Sequence, residues 1–161
     1  MKKTKIYLDT TIINFIYADD SPAYRDDTNA FFDKLVEPDL VDVYISNVVM
    51  EEILKTKNPK KLTKLLRSVN KYKFKVLRLN PEAIRLGDIY IAEKIIPANK
   101  LDDARHIGIS TVNEMDILLS WNFQHLANYS RKQKVKYVNL RENYFHPLDI
   151  ISPLELKYER D

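Results

Sequence analysis

Short apolar runs alternate along this chain with stretches in which apolar residues recur at helical spacing. A short run without polar alternation is typical of a strand that is buried on both faces of a parallel sheet. The pattern predicts strands at residues 6–8, 41–45, 74–79, 117–119 and 137–139. Strands that alternate with helices need crossover connections, so we expect a three-layer α/β/α sandwich with a four- or five-stranded parallel sheet.

Capping residues and prolines mark the expected helix starts. Ser21-Pro22 and Asn58-Pro59 each combine a capping side chain with a first-turn proline, and Asp102 is the expected cap of a later helix. The predicted helices cover residues 12–17, 22–37, 48–54, 59–69, 81–96, 103–113 and 122–131. We expect one domain over residues 1–161, with an irregular tail at 141–161 that packs on it.

Composition excludes several classes of protein. There are no cysteines, which rules out disulfides, thiolate zinc sites and cysteine nucleophiles. The two glycines, Gly87 and Gly108, are too few for a glycine-rich phosphate loop. No apolar stretch approaches the roughly 18 residues of a membrane span, so we expect a cytoplasmic protein without membrane association.

Charge is unevenly distributed, although the net charge is only +3. Between Ile53 and Pro81 there are ten lysines and arginines and no acid. Such a stretch favours a polyanionic partner. A solvated helix face is the alternative interpretation.

Polar residues follow the predicted strands at comparable places. Asp9 comes directly after the first strand, and Glu52 lies about two turns into the helix after the second. Asp103 lies in the first turn of a helix, and Asn122 follows the strand at 117–119. In open α/β sheets, ligands bind beyond the carboxyl ends of the strands. Asp9, Glu52 and Asp103 could therefore share one pocket.

Clustered carboxylates repel one another unless a cation is present. Oxygen ligands without histidine or cysteine favour Mg²⁺ or Mn²⁺, and such ions support phosphodiester hydrolysis. Simpler interpretations remain open for each residue. Asp9 could be a helix cap, Asp103 could interact with the helix dipole, and Glu52 could lie on the surface.

Four motifs resemble those of the PIN-domain ribonucleases, the toxin arm of many bacterial and archaeal toxin–antitoxin pairs. They are YLDTT at 7–11, the stretch 45–52, DARHI at 103–107 and LLSWNFQHL at 118–126, and the segment PLDIISPLE at 147–155 resembles the ending of one subgroup. The resemblance rests on their order and spacing over nearly the whole chain. It implies that Asp9, Glu52 and Asp103 bind divalent metal, directly or through water.

The chain departs from many family members at Asn122, where they carry a fourth acid. It is similar here to a subgroup with Trp-Asn. An amide oxygen can ligate a cation but brings no charge, so we expect weaker metal binding. Asp116 precedes its strand and should lie at the opposite edge of the sheet.

Four further residues within these motifs have expected roles of their own. Arg105 and His106 could reach the scissile phosphate, but packing against the sheet is favoured for His106. Trp121 could stack on a base, but packing under the pocket loop is favoured. His125 is expected to be a helix-surface or capping residue.

The resemblance implies a metal-dependent endoribonuclease, the toxin of a pair with a cognate antitoxin, and suggests a homodimer. Asp9 and Asp103 would ligate Mg²⁺ or Mn²⁺, Glu52 would orient or deprotonate water, and Asn122 would complete the site. The residues expected to contact RNA are Arg105, Lys55, Lys57, Lys60, Lys61 and Lys64. A catalytically silent module that binds RNA or antitoxin is the first alternative, motivated by Asn122. A phosphoacceptor receiver domain is a weaker one, because Asp19 and Asp20 lie too far from the first strand.

Overall fold

A five-stranded parallel sheet forms the centre of the computed structural model, which describes residues 2–124 and 126–156. The strands are β1 (Thr4–Leu8), β2 (Val41–Ser46), β3 (Lys75–Leu77), β4 (Ile117–Leu119) and β5 (Asp149–Ile151). Their order across the sheet is β3-β2-β1-β4-β5. The central strand β1 pairs Ile6 with Val43 of β2 and with Ile117 of β4. The expected parallel sheet is confirmed, with five strands.

Helices connect the strands and cover both faces of the sheet. They are α1 (Thr10–Phe15), α2 (Pro22–Phe31), α3 (Asn47–Leu54), α4 (Pro59–Tyr72), α5 (Pro81–Ala92), α6 (Leu101–Val112) and α7 (Tyr129–Arg141). A π-helical turn at Phe32–Val36 extends α2, and a 3-10 turn covers Pro153–Glu155. The three-layer α/β/α architecture is therefore as expected.

Most helix starts follow the capping signals in the sequence. The Asn58 side chain accepts hydrogen bonds from the amides of Lys60 and Lys61, and Ser46 accepts one from Val49. These caps satisfy amides that have no partner inside the helix. The expected cap at Asp102 is wrong, because α6 already begins at Leu101 and Asp102 lies in its first turn.

Several predictions fail in the C-terminal third, although the strand predicted at 117–119 is present. Residues 137–139 were expected to form a strand, but they lie in α7. Val135 and Val138 are both buried there, so the apolar residues follow a helical repeat that a three-residue window does not reveal. The fifth strand is Asp149–Ile151, inside the tail that was expected to be irregular.

Two boundaries near these elements also differ. No helix starts at Asn122; residues 122–124 and 126–128 form turns, and α7 begins at Tyr129 after its cap Asn128. Helix α5 ends at Ala92 rather than near Pro97. Turn residues that resemble helix caps explain the first error.

The core is packed on both faces of β1, where Ile6, Tyr7 and Leu8 are fully buried. On one side α5 and α6 approach each other very closely. A Cβ atom at Gly108 would lie 2.4 Å from the carbonyl oxygen of Ala83. The glycine is therefore required by the helix–helix contact.

No helix among the residues described is both long enough and apolar enough to cross a bilayer.

Candidate active site

A cavity of about 340 Å³ opens at the carboxyl edge of the sheet. It is lined by Glu52, Asn99, Lys100, Leu101, Asp102, Asp103 and Asn122. Three of the four residues singled out in the sequence thus meet around one cavity, although they come from α3, α6 and the loop after β4. The parallel sheet brings them together because its strands all end at this edge.

The fourth residue, Asp9, lies beside the cavity and is only 2% exposed. Its Oδ1 accepts hydrogen bonds from the Thr11 amide at 3.1 Å and the Thr11 hydroxyl at 2.5 Å, so Asp9 does cap α1. Its Oδ2 accepts a hydrogen bond from the Ser120 hydroxyl at 2.5 Å. Burial raises the pKa of Asp9 to about 6, and the charge of Asp103 adds to the rise, against the opposing effects of His106, Ser120 and Thr11.

Hydrogen bonds connect Asp9 to Asp103 across the edge of the sheet. The Ser120 hydroxyl, which donates to Asp9, accepts a hydrogen bond from the Asn122 amide at 2.9 Å. The Asn122 side-chain Nδ2 then donates to Asp103 Oδ2 at 3.1 Å. Ser120 and Asn122 therefore fix the two acids relative to each other.

A second chain of hydrogen bonds holds Glu52. His106 Nε2 lies 2.8 Å from Glu52 Oε1, and His106 Nδ1 lies 2.6 Å from the Tyr7 hydroxyl. The Tyr7 hydroxyl lies 2.7 Å from the Ser46 hydroxyl, which accepts from the Val49 amide. With a neutral His106, every bond is satisfied when Ser46 donates to Tyr7, Tyr7 donates to Nδ1, and Nε2–H donates to Glu52. With a protonated ring, both ring nitrogens donate, and Tyr7 accepts from Nδ1–H and donates to Ser46.

The pair of His106 and Glu52 is electrostatically coupled. Burial by itself opposes the charge of both groups. Despite that burial, the hydrogen bond and charge of Glu52, with the charges of Asp9 and Asp103, raise the pKa of His106 above its ordinary value. Burial would raise the pKa of Glu52, but the hydrogen bond and charge of His106 lower it below its ordinary value.

The favoured packing interpretation of His106 is confirmed, since the side chain is 1% exposed. The sequence did not reveal its contact with Glu52, nor the parts of Tyr7, Ser46 and Ser120. One signal was available for Tyr7: a tyrosine inside a fully buried strand needs a partner for its hydroxyl. Lys100, which also lines the cavity, was missed because no motif includes it.

The other residues discussed in the sequence analysis lie at different places in the fold. Trp121 is buried and its Nε1 donates to the Thr28 hydroxyl at 2.8 Å, so packing is confirmed over base stacking. Arg105 is half-buried on α6, and its Nε meets no acceptor within the described part of the chain. Asp116 accepts a hydrogen bond from the Lys5 amide near the start of β1, at the opposite edge, as expected. His125 lies outside the described residues.

The basic stretch forms an exposed face on α4. Lys60, Lys64, Arg67 and Lys71 are exposed and spaced to share one side of that helix. A second, larger cavity of about 640 Å³ lies between the end of α1 and the start of α4. It is lined by Asn14, Phe15, Tyr17, Ala18, Asp19, Asp20, Ser21, Asn58, Lys60, Lys61 and Lys64. We call it the lysine groove. Lys55 and Lys57 are exposed in the loop before α4.

The donor set fits a hard divalent cation in its chemistry. Glu52, Asp103 and Asn122 offer oxygen ligands, and the raised pKa of Asp9 reflects burial and a nearby carboxylate that a cation would offset. In residues 2–124 and 126–156, no three histidine, cysteine or acidic side chains are placed to hold one ion. An ion here would therefore be held partly through water, as Mg²⁺ commonly is.

No family model and no curated protein matches this chain. Solved structures that are similar to it include two of VapBC proteins. The crystal structure of VapBC2 from Rickettsia felis, bound to a DNA fragment from their promoter, contains a chain that matches 91% of this chain and 98% of its own length, with 11% identity and a TM-score of 0.58.

A chain of VapBC-5 from Mycobacterium tuberculosis, a member of the VapBC family of toxin–antitoxin systems, matches 92% of this chain and 98% of its own length. Its identity is 12% and its TM-score 0.50. At these identities the likeness establishes the fold, and the PIN-like fold class expected from the sequence is confirmed.

Proposed function

We propose that this chain is a metal-dependent endoribonuclease, the toxin of a toxin–antitoxin pair, and that it hydrolyses RNA phosphodiesters at the acidic cavity. One observation carries the proposal: Glu52, Asp103 and Asn122 line one cavity at the carboxyl edge of the sheet, and hydrogen bonds through Ser120 link Asp9 to Asn122 and Asp103. The likeness to chains of two VapBC structures, one of them named as a toxin–antitoxin system, supports it.

Asp9, Asp103 and Glu52 would hold Mg²⁺ or Mn²⁺, directly or through water, and the Asn122 amide oxygen would complete the site once it turned towards the ion. When bound, the ion offsets the repulsion of the carboxylates and polarises a phosphodiester. Asn122 brings no charge, so the affinity for the ion is lower than with a fourth acid.

The side chains of this protein position the reacting groups. His106 fixes the Glu52 carboxylate through Nε2, which leaves Glu52 oriented to accept a proton from a water in the cavity. Ser120 and Asn122 hold Asp9 and Asp103 in a constant relation. Lys100 lines the cavity and can neutralise a phosphate oxygen.

The basic residues would bind the rest of the RNA strand. Lys60, Lys61 and Lys64 line the lysine groove, and Lys55 and Lys57 precede it. Each phosphate neutralised on a single strand contributes a slope of about −0.7 to the salt dependence of binding. An antitoxin protein is the proposed inhibitor, and a homodimer is the proposed assembly.

The test is RNA cleavage in Mg²⁺ by pure wild type and by Asp9→Asn and Asp103→Asn. We expect each substitution to reduce cleavage by at least about 100-fold, because transition-state charge loses its stabilisation. Asp116→Asn, an acid at the opposite edge of the sheet, is the matched control and should cleave like wild type. Undiminished cleavage by either site variant would refute the proposal.

A catalytically silent module that binds RNA or antitoxin is the second candidate. It is favoured by the neutral Asn122, whose amide donates to Asp103 where many PIN-domain ribonucleases have an acid. Failure of wild type to bind Mn²⁺ at millimolar concentrations would favour this module over the nuclease.

A further inference from the structure

Four aromatic rings form a continuous cluster beside the acidic cavity. The ring centroids of Tyr24 and Trp121 lie 4.7 Å apart, and those of Trp121 and Phe123 lie 5.9 Å apart. Phe15 lies 5.7 Å from Tyr24 and 6.0 Å from Trp121. We call Phe15, Tyr24, Trp121 and Phe123 the aromatic platform.

The platform has a fixed base and two exposed rings. Trp121 is only 6% exposed and is held by two hydrogen bonds, from its Nε1 to Thr28 and from its amide to the Thr11 hydroxyl at 2.9 Å. In contrast, Tyr24 is 40% exposed and Phe123 is 42% exposed. Their contact with Trp121 orders both rings before any ligand arrives, which reduces the entropy lost on binding.

The platform adjoins both polar cavities through its own residues or their chain neighbours. Asn122, which lines the acidic cavity, is the residue between Trp121 and Phe123 in the chain. Phe15, at the other end of the cluster, lines the lysine groove. A strand that passes from the acidic cavity to the lysine groove would therefore cross the aromatic rings.

The charges of the lysine groove favour an anionic occupant. Lys60, Lys61 and Lys64 form no ion pair with any acid in the described ranges, and Lys64 Nζ lies 5.8 Å from the centre of the Tyr17 ring. Asp19 and Asp20 line the same groove, and Arg25 pairs with Asp19 at 2.9 Å. The lining of the groove therefore carries three lysines against two aspartates, one of which is paired with Arg25.

We propose that Tyr24 and Phe123 stack an unpaired base of single-stranded RNA, while Lys60, Lys61 and Lys64 contact its phosphates. The identity of the polyanion rests on the proposed nuclease function. Bases stack on aromatic side chains with little dependence on sequence, because every base has a π-face. A base inside a duplex has no free face, so the platform selects unpaired RNA.

The test measures binding without catalysis, in EDTA. Trp121 is the single tryptophan of the sequence and touches both exposed rings, so its fluorescence reports on the platform directly. The probe is an oligouridylate of about ten nucleotides, within the usual range for single-strand sites. The control probe is an RNA strand with the same backbone but with abasic riboses. We expect the oligouridylate to change the fluorescence and to bind more tightly than the abasic strand.

Substitutions assign the effect to the two rings. We expect Tyr24→Ala and Phe123→Ala to weaken oligouridylate binding by between about 5- and 150-fold each, and to leave abasic binding unchanged. Tyr24→Phe should retain the affinity, and Phe123→Leu, which keeps the apolar volume, should lose it. Tyr137→Ala is the matched control, because Tyr137 is 68% exposed but belongs to α7 and lines a different cavity.

Several results would overturn the proposal. They are equal affinity for the oligouridylate and the abasic strand, absence of binding at low salt, and unchanged oligouridylate affinity in the ring variants. The last of these results would assign the exposed rings to a protein partner. The two proposals fail separately. Wild type that binds through the platform but does not cleave RNA in Mg²⁺ contradicts the nuclease, and cleavage unaffected by the ring substitutions contradicts the platform.

Discussion

At the scale of single residues, the candidate site joins side chains that the sequence singled out with others that it did not. Asp9, Glu52, Asp103 and Asn122 follow from strand ends and from a family resemblance. Ser120, Tyr7 and His106 act through hydrogen bonds between distant segments, such as the 99 positions that separate Tyr7 from His106. Spacing along one chain cannot reveal such contacts, because they depend on how the elements pack.

Asp9 should lower the stability of the metal-free protein at neutral pH. Its pKa is about 6 in the folded protein, against an ordinary value of 3.8, so the folded state binds the proton more tightly than the unfolded chain does. This tighter proton binding by Asp9 stabilises the folded state below about pH 4, and the stabilisation is lost as the pH rises through about 6. We expect Asp9→Asn to raise the free energy of unfolding by about 1–3 kcal/mol at about pH 8, and to change it little at about pH 4.

Denaturant unfolding in EDTA at the two pH values measures this difference. The asparagine keeps the acceptor for Thr11 and can still bond Ser120, so lost hydrogen bonding is a small correction. If Asp9→Asn is less stable than wild type at about pH 8, the hydrogen bonds to the Asp9 carboxylate stabilise the folded state by more than burial of its charge destabilises it.

Tyr7 should influence the site through His106 without touching the cavity. We expect Tyr7→Phe to weaken Mn²⁺ binding by about 10-fold or more, because groups that orient ligands commonly have effects of this size. Tyr90→Phe is the matched control: Tyr90 is equally buried, and its hydroxyl donates to Asn139 at 2.5 Å. Both variants should lose about 1 kcal/mol of stability. Equal Mn²⁺ affinity in the two variants would contradict a positioning role for Tyr7.

At the scale of elements, capping signals and apolar runs each located some helices or strands correctly, and each also failed. Asn58 caps α4 as the sequence predicted, whereas the predicted cap at Asp102 is wrong. The strand expected at 137–139 was wrong because a short apolar run fits one turn of a buried helix equally well. The strand at Asp149–Ile151 was missed because pairing with β4, a non-local interaction, creates it.

The contact between α5 and α6 gives a prediction at this scale. Gly108→Ala would place a methyl group 2.4 Å from the Ala83 carbonyl oxygen, so the helices must separate. We expect a loss of about 1–3 kcal/mol. Gly87→Ala is the control on α5, where the nearest atom would lie at 3.4 Å, and the better helix propensity of alanine should offset any cost. Thermal melting of both variants measures this; similar melting temperatures would show that the interface adapts.

At the scale of the whole molecule, the fold places three kinds of surface next to one another. The acidic cavity, the aromatic platform and the lysine groove adjoin one another, although their residues come from α1, α2, α3, α4, α6 and the loop after β4. The sequence showed the basic stretch and the acids separately. The parallel topology places them side by side, and a nuclease function depends on the acids sharing one cation.

Titration with Mn²⁺ tests that shared cation most directly, by the loss of the free-ion signal in electron paramagnetic resonance. Asp102 and Asp103 are adjacent and both line the cavity, so Asp102→Asn is the matched control for Asp103→Asn. We predict that wild type and Asp102→Asn bind Mn²⁺ alike and that Asp103→Asn binds at least about 10-fold more weakly. Equal binding by all three proteins, or no binding by wild type at millimolar Mn²⁺, would contradict a cation held by these acids.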